Sequence, residues 1–172
     1  MRIHKVVLMV IAPQKFREEE FLIPKSTFQE NNIEVFTCAK DVSSAVSTDG
    51  LTINTDKILS EVDLNNIDAL VFVGGPGATI YFNDLQIFNL LKKAVEKGKI
   101  LGAIWIAPSI LANAGVLKNI KATCYPSERN NLSKQGAILL PEHVVVDNLI
   151  VTADGPKSSK DFANEIVKLL SR

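Results

Sequence analysis

Apolar residues in this chain gather in short unbroken runs rather than in alternation. The runs 6–11, 33–37, 69–73, 100–104 and 149–152 are rich in Val and Ile, and a strand of that kind has no polar side to turn toward water. They predict strands of a parallel sheet covered on both faces. Between them the period becomes helical. Residues 18–30 are amphipathic despite Pro24, which has to occupy an early turn or a kink, and residues 84–97 place Ile87, Phe88, Leu91, Ala94 and Val95 on one face and stop at Gly98. Two further helices are predicted over 107–117 and 158–170. Alternating segments around Asp49-Gly50 (46–53) and Asp147-Asn148 (144–151) predict small hairpins. Strands and helices alternating at this length specify an α/β fold: a three-layer αβα sandwich around a doubly wound, mostly parallel, flavodoxin-like sheet.

Two apolar stretches imitate membrane signals. Residues 6–11 follow Arg2, His4 and Lys5 as in a leader peptide, but the run is short and meets Gln14-Lys15-Phe16-Arg17 instead of a cleavage site. Residues 100–117 carry no formal charge, yet Gly102, Pro108, Ser109, Asn113 and Gly115 interrupt them, so they read as a buried strand entering a buried helix. No membrane partner is expected. The 172 residues contain no repeat, low-complexity segment or linker, and one domain over 1–172 is the expectation. Nineteen basic residues balance nineteen acidic ones, which disfavours a nucleic-acid partner. Cys38 and Cys124 fit no zinc spacing and are too few for a disulfide scaffold, so a reduced, cytoplasmic setting is expected.

In a doubly wound sheet, ligands bind beyond the carboxyl ends of the strands, where the strand order reverses. This directs attention to residues 13–20, 74–78 and 105–108. Val71-Phe72-Val73-Gly74-Gly75-Pro76-Gly77-Ala78 runs from a strand into a glycine turn but has neither the lysine of a phosphate loop nor a full dinucleotide fingerprint. Taken by itself it is a tight turn or a close backbone approach. Gly102-Ala103-Ile104-Trp105-Ile106-Ala107-Pro108 says more, because small residues two before and two after a central position are what a strained nucleophile elbow needs. Its centre is Trp105, and indole is no acyl-transfer nucleophile.

These motifs, with Glu20 four residues before Pro24, Leu111-Ala112-Asn113-Ala114-Gly115-Val116-Leu117, Ala122-Thr123 and Ile150-Val151-Thr152-Ala153-Asp154-Gly155-Pro156, resemble the ThiJ/PfpI family, of the class I glutamine amidotransferase-like fold, along nearly the whole chain. The resemblance implies a cysteine at the elbow, a glutamate hydrogen-bonded to it, and oxyanion-binding amides from the Gly-Gly turn and the residue after the cysteine. Glu20 matches the glutamate, and Gly75 and Ile106 match the amide donors. Trp105 takes the place of the cysteine, and Tyr125, before Pro126, takes that of a histidine in many relatives. The resemblance also implies a homodimer with its interface near the elbow and first helix.

What remains is weighed residue by residue. If Tyr125 faces the site, its neighbour Cys124 points away as a buried thiol; Cys38 is a core residue, and His4 and His143 read as surface or satisfied histidines, so no metal or cofactor is expected. Glu18 and Glu19 suit a solvated first helical turn, while Glu20 points inward with a raised pKa. The leading reading is a pseudoenzyme with a binding, regulatory or stress-related role and a small-molecule ligand. The alternatives are a glyoxalase-, deglycase- or hydrolase-like enzyme using Glu20 with Tyr125, and a Cys124-dependent hydrolase or peptidase. Trp105 is expected to be mostly buried against Glu20, as a plug that leaves little cavity between them.

Overall fold

A computed structural model describes residues 4–172. In chain order the elements are β1 (Val6–Val10), β2 (Gln14–Phe16), α1 (Glu18–Glu30), β3 (Glu34–Ala39), β4 (Ser44–Ser47), β5 (Thr52–Asn54), β6 (Lys57–Ile58), β7 (Ala69–Phe72), α2 (Leu85–Glu96), β8 (Ile100–Ile104), α3 (Pro108–Asn113), β9 (Lys121–Ala122), α4 (Arg129–Lys134), β10 (Ile138–Leu139), β11 (Val144–Asp147), β12 (Ile150–Ala153) and α5 (Ser159–Leu170). The main sheet has the order β11-β12-β8-β7-β1-β3-β6. Every pairing in it is parallel except β11 with β12. After β1 the chain moves to β3 on one side and returns to β7 on the other, so the strand order reverses at β1 and opens a crevice beyond the ends of β1, β7 and β8.

Alternate residues of each strand feed two separate cores. Val7, Met9, Ile11, Val71 and Ile104 pack with Phe21, Phe28, Phe162 and Ile166 of α1 and α5, whereas Leu8, Val10, Leu70, Phe72 and Leu101 pack with Ile87, Leu91 and Leu111 of α2 and α3. Unbroken apolar runs are required because both faces are covered. On β8 the contact with α5 is so close that a Cβ at Gly102 would lie 2.8 Å from Ile166 Cδ1 and 2.9 Å from Phe162 Cζ.

The helix at 18–30 forms over its predicted span with Pro24 inside it. That at 107–117 is shorter: α3 ends at Asn113, Gly115 adopts φ +81°, and Val116 N–H returns to the Leu111 carbonyl at 3.1 Å. A left-handed glycine with such a backward bond is a helix stop. Val95, expected on the apolar face of α2, is 49% exposed. Both predicted hairpins form, as β4–β5 and β11–β12. Four short strands were not foreseen: β2, which pairs with β4, the edge strand β6, and β9 and β10, which pair with each other.

Asp84 starts α2, accepting the N–H groups of Gln86 (2.9 Å) and Ile87 (3.2 Å) and pairing with Lys40 Nζ at 2.5 Å. Replacing an N-cap carboxylate by Ala orphans those donors. Asp84→Ala is expected to lower stability by about 1–2 kcal/mol, read as a lower urea midpoint with an unchanged slope.

Candidate functional site at the elbow

Trp105 follows β8 directly and holds φ +61°, a conformation that costs a bulky residue energy unless its surroundings enforce it. They do so on both sides. Its N–H donates to the Ala153 carbonyl at 3.0 Å, at the end of β12, and its carbonyl accepts the Tyr125 N–H at 2.9 Å. Ala103 and Ala107, two residues away on either side, are fully buried and leave room for the sharp turn. The elbow predicted from spacing is present, with an indole at its apex.

Glu20, in the first turn of α1, reaches the same point. Its side chain is fully buried, and its Oε2 accepts the Gly74 N–H at 2.9 Å, while Gly74 returns its carbonyl to Arg17 N–H at 3.0 Å. A Cβ on Gly74 would run into Glu20 Oε2 and would stand 2.8 Å from the Ile104 carbonyl oxygen and 2.9 Å from Trp105 Cβ. Gly75 has φ +113°, and a Cβ there would strike Arg17 N at 2.6 Å and Phe16 C at 2.8 Å. The glycine turn therefore exists because three backbones meet there. Ile106 follows Trp105 into α3.

Burial raises the Glu20 pKa to about 8, against the lowering effects of the Gly74 N–H and the Arg17 charge. At neutral pH the carboxyl therefore keeps its proton. Its second oxygen, Oε1, has no hydrogen-bond partner, and neither has the buried indole nitrogen Nε1 of Trp105.

Trp105 keeps only a minority of its surface exposed, and its indole Nε1 is buried. It meets Tyr125 edge-to-face, with centroids 5.6 Å apart and planes at 86°, and its Cδ1 lies 3.8 Å from where a Cβ on Gly155 would be. Tyr125 and Gly155, with Arg17, His143, Asp154 and Lys157, line a cavity of about 710 Å³. Neither Trp105 nor Glu20 belongs to that lining. The indole thus stands behind Tyr125 and Gly155, and the open space lies beyond it.

Neither thiol lines this cavity. Cys124 is buried in the core on the α2–α3 side of the sheet while Tyr125 emerges 42% exposed, as alternation along an extended segment requires. Burial pushes the Cys124 and Cys38 thiols up to about 12, which leaves them protonated and unreactive. His4 is exposed at the start of β1. His143 is also exposed but is a site neighbour: its Nδ1 lies 2.6 Å from Asp154 Oδ2, whose other oxygen accepts Ser158 Oγ–H at 2.7 Å. Its place at the cavity was missed by treating distance along the chain as distance in space. The signal was available in the predicted 144–151 hairpin, because the register Val144↔Ala153 sets His143 opposite Asp154.

A family model described as the DJ-1/PfpI family matches residues 5–169. An uncharacterized protein of Methanocaldococcus jannaschii is 36% identical over 169 residues, covering 96% of this chain and 82% of that protein. A deglycase of Thermococcus kodakarensis is 31% identical over 163 residues, covering 95% and 98%. Among solved structures, a ThiJ/PfpI domain protein from Brachyspira murdochii superposes with a TM-score of 0.95 at 34% identity, covering 98% of this chain and 97% of that one.

The folded protein holds the Glu20 proton up to about pH 8, whereas the ordinary carboxyl value is 4.5. Folding takes up a proton between these values, so stability falls as pH rises through that window, by about 1.4 kcal/mol per unit at most, and levels off above it. Glu20→Gln should remove this slope in denaturation curves. Trp105 is the sole tryptophan, and its fluorescence should titrate near pH 8 in the wild type but not in Glu20→Gln.

Proposed function

This chain belongs to the DJ-1/PfpI family, and we propose that it acts without thiol catalysis, as a single-domain homodimer that binds a small-molecule ligand beside the elbow in a regulatory or stress-related role. The observation that carries this reading is Trp105 at the apex, with φ +61°, in the place the family resemblance gives to the cysteine. The elbow keeps its backbone geometry, but a nucleophile needs a lone pair that indole does not offer. The cavity beside it is of small-molecule size. Self-association is supported by Leu22 and Ile23 of α1, which are 44% and 37% exposed, and by a net charge of zero that sets up no repulsion between copies.

A second reading has its own support. The Thermococcus relative bears the name deglycase, and Glu20 holds a proton near neutrality, as a general acid must. Glu20 with Tyr125 would then handle a small carbonyl substrate, with the Gly75 and Ile106 amides facing the developing oxyanion.

Glyoxalase, deglycase and peptidase assays separate the readings. The wild type is expected at the buffer rate, unchanged by Cys124→Ser; turnover lost in Glu20→Gln alone would favour the acid–base enzyme, and turnover lost in Cys124→Ser would overturn both. Trp105→Cys should gain a thiol that iodoacetamide alkylates rapidly. Sedimentation at micromolar concentration should give a dimer, shifted toward monomer by Leu22→Glu with Ile23→Glu.

A further inference from the structure

The cavity beyond the elbow is lined by three basic side chains, Arg17, His143 and Lys157, and three acidic ones, Glu19, Asp154 and Asp161. By charge alone it is balanced. Its hydrogen bonds are not. Arg17 donates Nη2–H to Glu19 Oε1 at 2.9 Å, and its Nε stands 2.7 Å from Glu19 Oε2 as an ion pair without hydrogen-bond geometry. Asp154 has both oxygens engaged as well, one by His143 and one by Ser158. Among the described residues, free donors remain on the Arg17 Nη1 group, the Lys157 ammonium and the second ring nitrogen of His143, against one carboxylate without an internal partner, Asp161.

His143 is built into its position. Its carbonyl accepts the Asp154 N–H at 3.0 Å, closing the β11–β12 hairpin, and Ser158 holds the Asp154 carboxylate from the approach to α5. The imidazole is thereby fixed through Nδ1 and turns Nε2 outward, with 84% of the side chain accessible. The carboxylate beside it raises the imidazole's pKa, so the ring stays cationic further into the neutral range and Nε2 then carries a hydrogen to donate. A cavity with surplus donors on fixed supports recognises a ligand rich in acceptors.

We propose that this cavity binds a small oxyanion, a carboxylate or a phosphate, on Nε2–H of His143, with Arg17 and Lys157 as flanking cations. The proposal rests on the ligand-binding reading above and names its ligand class. Of the other groups facing His143, Glu19 and Asp154 are tied to internal partners, Tyr125 supplies an aromatic wall, and Asp161 sets a limit, because its carboxylate would repel a bulky polyanion.

Titration calorimetry at constant ionic strength, with inorganic phosphate in one arm and succinate in the other, tests it. One arm should saturate at about pH 6 and weaken at least about tenfold by about pH 8.5 as the imidazolium is lost. His143→Gln, a surface change whose fold is checked by circular dichroism, should weaken binding about tenfold or more at the lower pH and flatten the pH dependence. Lys157→Ala should cost a smaller factor. Trp105 fluorescence, through its edge contact with Tyr125, should follow the same isotherm. Absence of saturation in both arms, equal affinity in His143→Gln, or an identical response to sodium chloride would overturn the proposal. None of these outcomes bears on whether turnover depends on a thiol, so failure here and failure of the broader reading are told apart.

Discussion

Everything at the site depends on one crowded contact, at Gly74. The end of β7, the Glu20 carboxyl from α1 and the elbow after β8 converge on a point where a single added carbon would strike Glu20 Oε2 and sit within 2.9 Å of both the Ile104 carbonyl and Trp105 Cβ. Closeness of this kind is available only to a residue without a side chain. It in turn fixes the rest: Glu20 is stripped of water, Arg17 is bound back to the turn, and the α1 start is locked to the sheet by the Gly74 hydrogen bonds.

Stripping water from Glu20 has an electrostatic consequence that the fold settles by protonation rather than by pairing. The Arg17 guanidinium favours the charged form, but its side chain is paired with Glu19, and burial outweighs it. A neutral carboxyl beside an indole is a low-polarity arrangement, yet Oε1 and Nε1 both lack partners. Two buried polar atoms left unsatisfied are a cost, and their occurrence together at the elbow marks it as a place where the chain departs from optimal packing.

Much of this was legible in the chain because parallel sheets covered on both faces impose a simple code. The runs of β1, β7 and β8 could be read almost to the residue, and so could the elbow, whose Ala103 and Ala107 spacing is a steric requirement independent of chemistry. Elements held by partners elsewhere were not legible. Gln14–Phe16 is polar and forms a strand only because β4 lies beside it, and Lys57–Ile58 becomes an edge strand only through β3. The direction of the Trp105 ring was not legible, because the φ +61° turn aims it toward Tyr125 and Gly155. His143 shows the same gap: pairing register, rather than residue type, brings it to the cavity.

The elbow and the cavity answer to different parts of the sequence. Elbow geometry is enforced by backbone hydrogen bonds to Ala153 and Tyr125 and by small neighbours, none of which requires a particular side chain at the apex. A nucleophile can therefore be absent from that position while the turn persists. The cavity is different, because its donors belong to side chains on α1, the β11–β12 hairpin and the approach to α5, and each can change without disturbing Gly74. Trp105 separates the two regions, since it touches Tyr125 and Gly155 from behind and lines no part of the open space. The ligand recognition proposed for the cavity is thus free of the constraint that fixes the elbow, because side chains on its rim can vary while the backbone contact at Gly74 stays as it is.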